Sequence, residues 1–341
     1  MQAIDVHCHF FPQAFLDIAR KPGNSFGTSI ERDADGLEYL VAEGDFRHPL
    51  TPDFHDAGAM IADLDKRSLT SAVISSAPPT LSYWADKSAA NELASAINGE
   101  IAQRTRTYPD RFAGLATLPL QDMDATVSEA RRAIRDLHLS GFHIGSNVNG
   151  TNLDDPFFEP LFATIAELDV PVFIHPYIPA GAERMRRYYL HNLIGMVSET
   201  GLAIASVIYG GILERWPDIK ICFAHAGGTF PYIKGRLDHG YLVREEECTK
   251  ALPHPPSHYI GKLYFDSIAH DHASLKFLVD LVGSDHIVIG SDYPFDMGNE
   301  QPLEVVTSNP YLTEEDKTNI AGKTAATLFN IATAHVPGGS K

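Results

Sequence analysis

The sequence of 341 residues contains few cysteines, a deficit of basic residues and no long hydrophobic run. Three cysteines are too few and too scattered for a disulfide framework, so a protein of a reducing compartment, the cytoplasm, is expected. The formal net charge of −17 argues against a nucleic-acid partner, because neutralising phosphates requires clustered Lys and Arg. The sequence shows no uninterrupted run of about 18 apolar residues and no basic, apolar leader, so neither a membrane span nor a secretory signal is expected.

Short apolar segments rich in β-branched residues alternate with segments of helical periodicity along the chain. The predicted strands are Ala3–Val6, Ser71–Ser75, Phe112–Thr117, Gly141–Ile144, Val170–Ile174, Ile219–Phe223, Leu263–Asp266 and Ile287–Ile289. Predicted helices between them include Ser88–Thr107, Ala125–Leu137, Pro160–Leu168 and Ser274–Val282. Eight such units joined by right-handed crossovers predict an α/β fold, a TIM-like (β/α)₈ barrel. The alternative is a doubly wound open sheet, but no Gly-rich phosphate motif follows the first strand.

This alternation predicts one barrel domain over residues 1–341, a length that such barrels often use as a single domain. Residues 21–52 interrupt it, because they are rich in Gly and Asp and contain the strand-like pieces Leu37–Val41 and Phe46–His48. They predict an inserted flap or hairpin over one end of the barrel. Residues 334–341, which end in VPGGSK, predict a frayed tail.

A histidine pair lies at the end of the first predicted strand, where the sequence is DVHCH. Residues two apart in a strand point to the same side, so His7 and His9 can face one point while Cys8 packs on the other side. Alone, such a pair is as compatible with coincidence as with a metal site.

Three more strand ends carry groups of the same kind, namely His175, His225 and Asp292. Because the C-terminal ends of barrel strands converge on the active site, four imidazoles and one carboxylate are predicted to meet at one mouth. These groups suit zinc and similar divalent ions. The alternative, a set of buried structural histidines, requires each one to follow an apolar strand by chance. His143, at the end of the fourth strand, is interpreted as structural.

Longer stretches of the sequence resemble the amidohydrolase superfamily and, within it, the 2-amino-3-carboxymuconate-6-semialdehyde decarboxylases. They are RFAGLATLPLQDMD, KICFAHAGGTFPYIKGRLDHG and IVIGSDYPFDMG, and the resemblance covers nearly the whole chain. It implies that the metal, Zn²⁺ or another divalent ion such as Mn²⁺, is held by His7, His9, His175 and Asp292. It also implies that His225, beside a metal-bound water, is the catalytic acid and base.

The resemblance further implies three substrate-binding residues, Arg47, Phe295 and Arg236. Since the residue matching Arg236 reaches a neighbouring subunit's site in that family, a homodimer is expected. The sequence departs from the family pattern at Tyr177, where the family has Trp, at residues 188–192, which include Tyr189, and at Val41, where the family has Lys. These positions are expected on the substrate side, so Tyr177 and Tyr189 are additional substrate-binding candidates.

The leading functional hypothesis is a zinc-dependent, non-oxidative decarboxylase of an unsaturated or aromatic carboxylate. His225 would take and return a proton near neutral pH, and Arg47 and Arg236 would hold substrate carboxylates bidentately. The alternative is a hydrolase of C–C or C–N bonds, or a hydratase, at the same site, and incorporation of water would distinguish it from carbon dioxide release. A metal-binding protein without turnover is less favoured, because a structural zinc site needs no adjacent base.

Overall fold

The computed structural model describes residues 2–42 and 46–331, and the predicted tail over residues 334–341 lies outside them. Eight parallel strands form a closed barrel in which each strand pairs with the next and the last pairs with the first. They are β1 (Ile4–Phe10), β2 (Ser71–Ser76), β3 (Phe112–Ala116), β4 (Gly141–Gly145), β5 (Val172–His175), β6 (Ile221–Phe223), β7 (Tyr264–Asp266) and β8 (Ile287–Tyr293). The predicted barrel and its eight strands are confirmed.

Helices surround the barrel and connect its strands. The α-helices are Gln13–Ala19, Ala57–Lys66, Lys87–Thr107, Met123–Arg135, Glu159–Leu168, Val197–Tyr209, Ile212–Arg215, Phe230–Val243, Glu245–Cys248, Ser257–Ile260, His272–Val282, Pro302–Thr307, Glu314–Thr318 and Thr324–Leu328. The four predicted helices are present with ends shifted by at most two residues. Aspartate N-caps help to start three of them: Asp86, Asp122 and Asp271 each accept a hydrogen bond from a backbone N–H of the first turn.

The barrel interior contains an apolar layer below a polar one. The apolar layer includes Val6, Val73, Leu115, Phe173, Cys222 and Val288 and packs against Phe329, which follows the last helix. The polar layer is formed by side chains at the C-terminal strand ends, which is where barrel enzymes carry their active sites. The packed apolar layer therefore supports the polar side chains from below.

Strand β1 contains a bulge that turns its histidines into the barrel. Asp5 aligns with Ala72 of β2 whereas Cys8 aligns with Ile74, so β1 has one residue more than its neighbour over this stretch. Val6 can therefore belong to the apolar interior although His7 follows it directly, while Cys8 packs in the outer core. The strand was predicted to end at Val6 because polar residues interrupt the apolar pattern there, but its pairing with β2 continues to Phe10.

The predicted flap is a three-stranded antiparallel sheet of Ser29–Arg32, Glu38–Ala42 and Phe46–Pro49. One face packs on the barrel through buried Leu40, and the rings of Phe46 and His48 on that face lie against Phe295 with centroids 6.5 and 5.3 Å away. The other face is open and carries Arg47. The first flap strand was not predicted, because SIER is short and polar.

The helix that follows β5 begins as a π-helix at His191–Met196 and continues as Val197–Tyr209. By length and composition alone, His191–Tyr209 could span a membrane. Its residues Ala203, Ile204 and Val207 pack in the barrel core, an arrangement that the outer helix of a soluble barrel also has.

Candidate metal centre and active site

The strand ends bring all five predicted metal-centre groups together. The Nε2 atoms of His7 and His9 lie 3.0 Å apart, and Oδ1 of Asp292 lies 3.3 and 3.4 Å from them. The potential ligand atoms of His7, His175, His225 and Asp292 all lie within 4.8 Å of one another. A group of this size, drawn from β1, β5, β6 and β8, could hold a single ion.

Hydrogen bonds on the far side of each ring aim the Nε2 atoms at this point. Nδ1 of His7 lies 2.6 Å from the carboxylate of Asp266, and Nδ1 of His175 lies 2.8 Å from the carbonyl oxygen of Pro176. Nδ1 of His9 lies 3.1 Å from Oγ of Ser75, whose hydroxyl donates to the Cys8 carbonyl and must therefore accept from His9. Since each of these partners accepts, each Nδ1 carries the hydrogen and each Nε2 presents a lone pair.

The converging atoms form a set of acceptors that suits a cation. Oδ1 of Asp292 and Nε2 of His175 are buried without a hydrogen-bond partner among the described residues. Burial by itself lowers the pKa of His7, but the carboxylates of Asp292 and Asp266 raise it to about 10, so they favour a positive charge at its Nε2, either a proton or a metal ion that takes the lone pair of the neutral ring. Burial, reinforced by the neighbouring imidazoles of His7, His9 and His225, lowers the pKa of His175 well below its ordinary value. Because buried lone pairs facing one another are costly, the residues present fit a divalent ion coordinated by nitrogen and oxygen.

His225 lies at the edge of the cluster, in a backbone conformation that few non-glycine residues adopt. Its φ is 55°, and that of Asp292 is 57°. Nε2 of His225 lies 3.6 Å from Oδ2 of Asp292, and its side chain is 15% exposed whereas that of His7 is fully buried. His225 can therefore exchange protons with solvent. The backbone at Gly228, three residues on, lies so close to Val197 that a Cβ would be 2.1 Å from its carbonyl oxygen.

Asp266, at the end of β7, is a functional residue that sequence reasoning missed. Its side chain is fully buried, accepts from Nδ1 of His7, and accepts the backbone N–H groups of His225 and Ala226 at 2.8 Å each. One carboxylate thus orients a metal-ligand candidate and fixes the unusual backbone at His225. The available signal was its position, since it ends a predicted strand as His175 ends another.

The predicted substrate-side aromatic residues surround the mouth at different depths. The ring of Phe295 lies 5.8 Å from that of His9. Tyr177 is buried, and its ring is stacked on Trp84 at 6.3 Å. Tyr189 is exposed, and partial burial together with the carboxylates of Asp296 and Asp292 raises the pKa of its hydroxyl.

The two predicted substrate arginines are not brought to the metal cluster within the single described chain. Arg47, on the open face of the flap, stacks over the ring of Tyr39 at 3.6 Å and pairs with Glu31 at 3.3 Å. Arg236 is exposed on the helix Phe230–Val243 and forms no ion pair with a described carboxylate. Their substrate-binding roles stay predictions.

His143 is placed in the floor of the site. It is fully buried, aligns with Phe173 of β5, and lies with its ring 5.4 Å from that of His9 and 5.9 Å from that of His175. Neither ring nitrogen has a hydrogen-bond partner in the described part of the chain, and burial keeps its pKa well below the ordinary value. It is thus a neutral ring that packs against two candidate ligands.

Comparisons with known proteins agree with this geometry. A family model described as Amidohydrolase matches residues 4–331. The 2-amino-3-carboxymuconate-6-semialdehyde decarboxylase of Dictyostelium discoideum is 39% identical over 328 residues, which cover 96% of this chain and 91% of that protein. The crystal structure of 5-carboxyvanillate decarboxylase LigW from Sphingomonas paucimobilis matches with a TM-score of 0.82 at 25% identity, covering 97% of this chain and 99% of that one. A 5-carboxyvanillate decarboxylase from Novosphingobium aromaticivorans, crystallised with bound manganese, matches with a TM-score of 0.81 at 23% identity, covering 96% and 97%.

Proposed function

This chain belongs to the amidohydrolase family, and we propose that, as a carboxy-lyase of that family, it removes carbon dioxide without oxidation from an unsaturated or aromatic carboxylate. A substrate like 2-amino-3-carboxymuconate 6-semialdehyde is favoured, since a relative 39% identical over almost the whole chain carries that name. The observation that carries the proposal is the convergence of buried acceptor atoms beside the more exposed His225. That arrangement joins a metal site to a group that can move a proton.

His7, His9, His175 and Asp292 are proposed to hold the divalent ion, Zn²⁺ or Mn²⁺. Support comes from the three Nε2 lone pairs and the unpartnered Oδ1 of Asp292. When bound, such an ion polarises a substrate oxygen or a bound water. His225 is left outside this set because its side chain is more exposed than that of His7, because its backbone is held by Asp266, and because a catalytic ion would need a coordination position left open for substrate or water.

His225 is proposed to deliver a proton to the substrate carbon that bears the carboxylate. The C–C bond to the carboxylate then breaks, its electron pair returns to the conjugated system, and carbon dioxide leaves. His225 afterwards regains a proton from solvent, which its partial exposure permits. Phe295, Tyr177 and Tyr189 are proposed to pack against the substrate, and Arg47 to bind its carboxylate.

A homodimer is proposed as the active form, with Arg236 completing the partner's site. Exposed apolar residues support it, because Leu193 and Ile194 lie on the helix that follows β5, and Tyr232 (88% exposed) and Leu242 (74%) lie on the helix Phe230–Val243, which also carries Arg236. Exposed large apolar side chains are common where subunits associate. Mixing Arg236→Ala and His225→Ala variants should restore one working site per mixed dimer. No recovery after exchange verified by native mass spectrometry would contradict the shared site.

The activity is tested by metal analysis together with a panel of carboxymuconate semialdehydes and hydroxybenzoates. The expected result is stoichiometric divalent metal and release of carbon dioxide from at least one panel member. Incorporation of ¹⁸O from labelled water into the product, without carbon dioxide, would instead identify a hydrolase or hydratase.

In the cytoplasm, where we propose that the protein acts, the three free cysteines would stay reduced.

A further inference from the structure

A cluster of arginines lies in the loop that follows β5, here called the arginine loop (residues 181–190). Arg184, Arg186 and Arg187 are all exposed, and none forms an ion pair with a carboxylate in the described part of the chain. Arg187 instead donates a hydrogen bond to the hydroxyl of Tyr188 at 2.8 Å and stacks on its ring at 4.8 Å. With the exposed Glu183 counted against the three arginines, residues 183–187 carry a net charge of +2 in a chain of net charge −17.

Ten of the thirteen arginines outside this loop are held differently, whereas Arg106, Arg236 and Arg244 also form no ion pair with a described carboxylate. Each of the following pairs with a carboxylate within 4.0 Å: Arg20, Arg32, Arg47, Arg67, Arg104, Arg111, Arg131, Arg132, Arg135 and Arg215. The positive charge of those side chains is locally neutralised. The net positive charge of the arginine loop is not neutralised by ion pairs of this kind, so its electric field acts on charged molecules that approach the loop.

The chain path fixes the arginine loop at the barrel mouth. It begins six residues after His175, and the helix after it runs from the π-helical turn His191–Met196 to Val197, whose carbonyl accepts a hydrogen bond from the backbone N–H of Thr229, four residues after His225. The chain therefore leaves one group of the metal centre before the arginine loop and packs beside another after it. Between them, Tyr188 and Tyr189 adopt φ values of 60° and 57°, and such positive values are uncommon for tyrosine.

We propose that the arginine loop is an electrostatic capture element, which draws anionic substrates into the metal centre and favours those with two carboxylates over those with one. The proposal rests on the proposed function, because it assumes a carboxylate substrate. An acidic surface repels such a substrate, whereas a local positive patch at the mouth of a cleft raises its encounter rate. A dianion gains about twice the interaction of a monoanion in the same field. The element lies in the same chain as the metal centre and needs no contribution from a partner subunit.

The test replaces all three charges, as Arg184→Gln, Arg186→Gln and Arg187→Gln, in the manganese-loaded enzyme. At about 10 mM salt, where the Debye length is about 30 Å, kcat/KM should fall roughly tenfold or more, with kcat within about twofold. At about 1 M salt, where that length is about 3 Å, the difference from the unmodified enzyme should nearly vanish. Calorimetric Kd values should rise more for 5-carboxyvanillate, with two carboxylates, than for 2,6-dihydroxybenzoate, with one.

A matched control removes the same charge elsewhere, as Arg131→Gln, Arg135→Gln and Arg215→Gln. Arg131 and Arg135 pair with Glu167, just before β5, and Arg215 precedes β6, so all three lie near the N-terminal strand ends, away from the mouth. An equal loss in this control, or an unchanged salt slope in the loop variant, would overturn the proposal while leaving the decarboxylase assignment intact. If the unmodified enzyme neither binds nor decarboxylates any carboxylate, both the function and the capture element are wrong.

Discussion

The strand ends of the barrel and the segments that cover them are built on different principles. At the strand ends, buried hydrogen-bond acceptors fix the orientation of the candidate histidine ligands through Nδ1, as Asp266 does for His7 and Ser75 for His9. In the flap and the arginine loop, charged side chains make surface contacts, such as that of Arg47 with Glu31. Buried hydrogen-bonded groups keep one geometry, whereas surface pairs contribute little and rearrange easily. Metal binding should therefore depend on the barrel, and substrate affinity on its cover.

The strongest test of that division is His175→Ala. Removing an imidazole from the metal centre should abolish most bound metal and most carbon dioxide release together, because the ion then loses one of its four proposed protein ligands. Metal content by plasma mass spectrometry and activity are measured on the same sample. Stoichiometric metal retained by a His7→Ala, His9→Ala double variant would remove those two residues from the ligand set.

His225→Ala should separate metal binding from turnover. We expect near-stoichiometric metal and a loss of about 10²–10⁴-fold in kcat, the usual contribution of a positioned acid or base. The proximity of His225 to Asp292 makes this an informative variant, since a ligand atom of His225 lies within 4.8 Å of those of His7, His175 and Asp292. Loss of the metal with the activity would transfer His225 to the ligand set.

Asp266→Asn should weaken the metal centre without emptying it. The carboxylate that orients His7 and the backbone of His225 becomes a neutral amide, and loss of such an outer hydrogen bond typically costs about 10- to 100-fold in metal affinity. Competition with a chelator measures the affinity. Asp271→Asn, at an exposed helix N-cap in the following loop, is the control and should leave the affinity unchanged. Equal affinities in the two variants would show that Asp266 is structural.

The smallest effect in this series is expected from Arg47→Ala, on the cover. Metal content should not change, while KM should rise about tenfold, because a hydrogen bond to a charged group contributes about 1.5–3 kcal/mol. Arg32→Ala removes another paired flap arginine and serves as the matched control. If the two variants have the same KM, Arg47 does no more than support the flap through Tyr39 and Glu31.

Much of the barrel could be predicted from the sequence, because its strands are continuous apolar runs between amphipathic helices. Where a strand carries functional groups, the same reasoning stopped early: β1 extends to Phe10 and β8 to Tyr293, beyond the predicted ends at Val6 and Ile289. Polar residues break the apolar pattern at those positions, although the backbone pairing continues. The features that make these residues useful are thus the ones that conceal their secondary structure.

The candidate site was predictable as a set of strand-end ligands but not as a network. Asp266 was placed at the end of a predicted strand, yet its partners are distant in sequence, and no local pattern indicates that it receives the Nδ1 hydrogen of His7. A role for the arginine loop could not be predicted for a similar reason. The segment RMRR resembles many exposed loops, and its position near the metal centre follows only from the structure, in which the preceding strand ends at His175. For both Asp266 and the arginine loop, the proposed role follows from the position in the barrel and not from the local sequence.

The pairing of β1 with β8 bears on how the protein is made. His7 leaves the ribosome 285 residues before Asp292, and the two meet when the barrel closes. Until β8 is synthesised, the nascent chain therefore presents an unpaired β1 edge and imidazoles without their carboxylate. We expect metal loading to follow the synthesis of β8, and a metal-chelated translation extract to yield a soluble barrel that is activated by adding Mn²⁺ or Zn²⁺ afterwards.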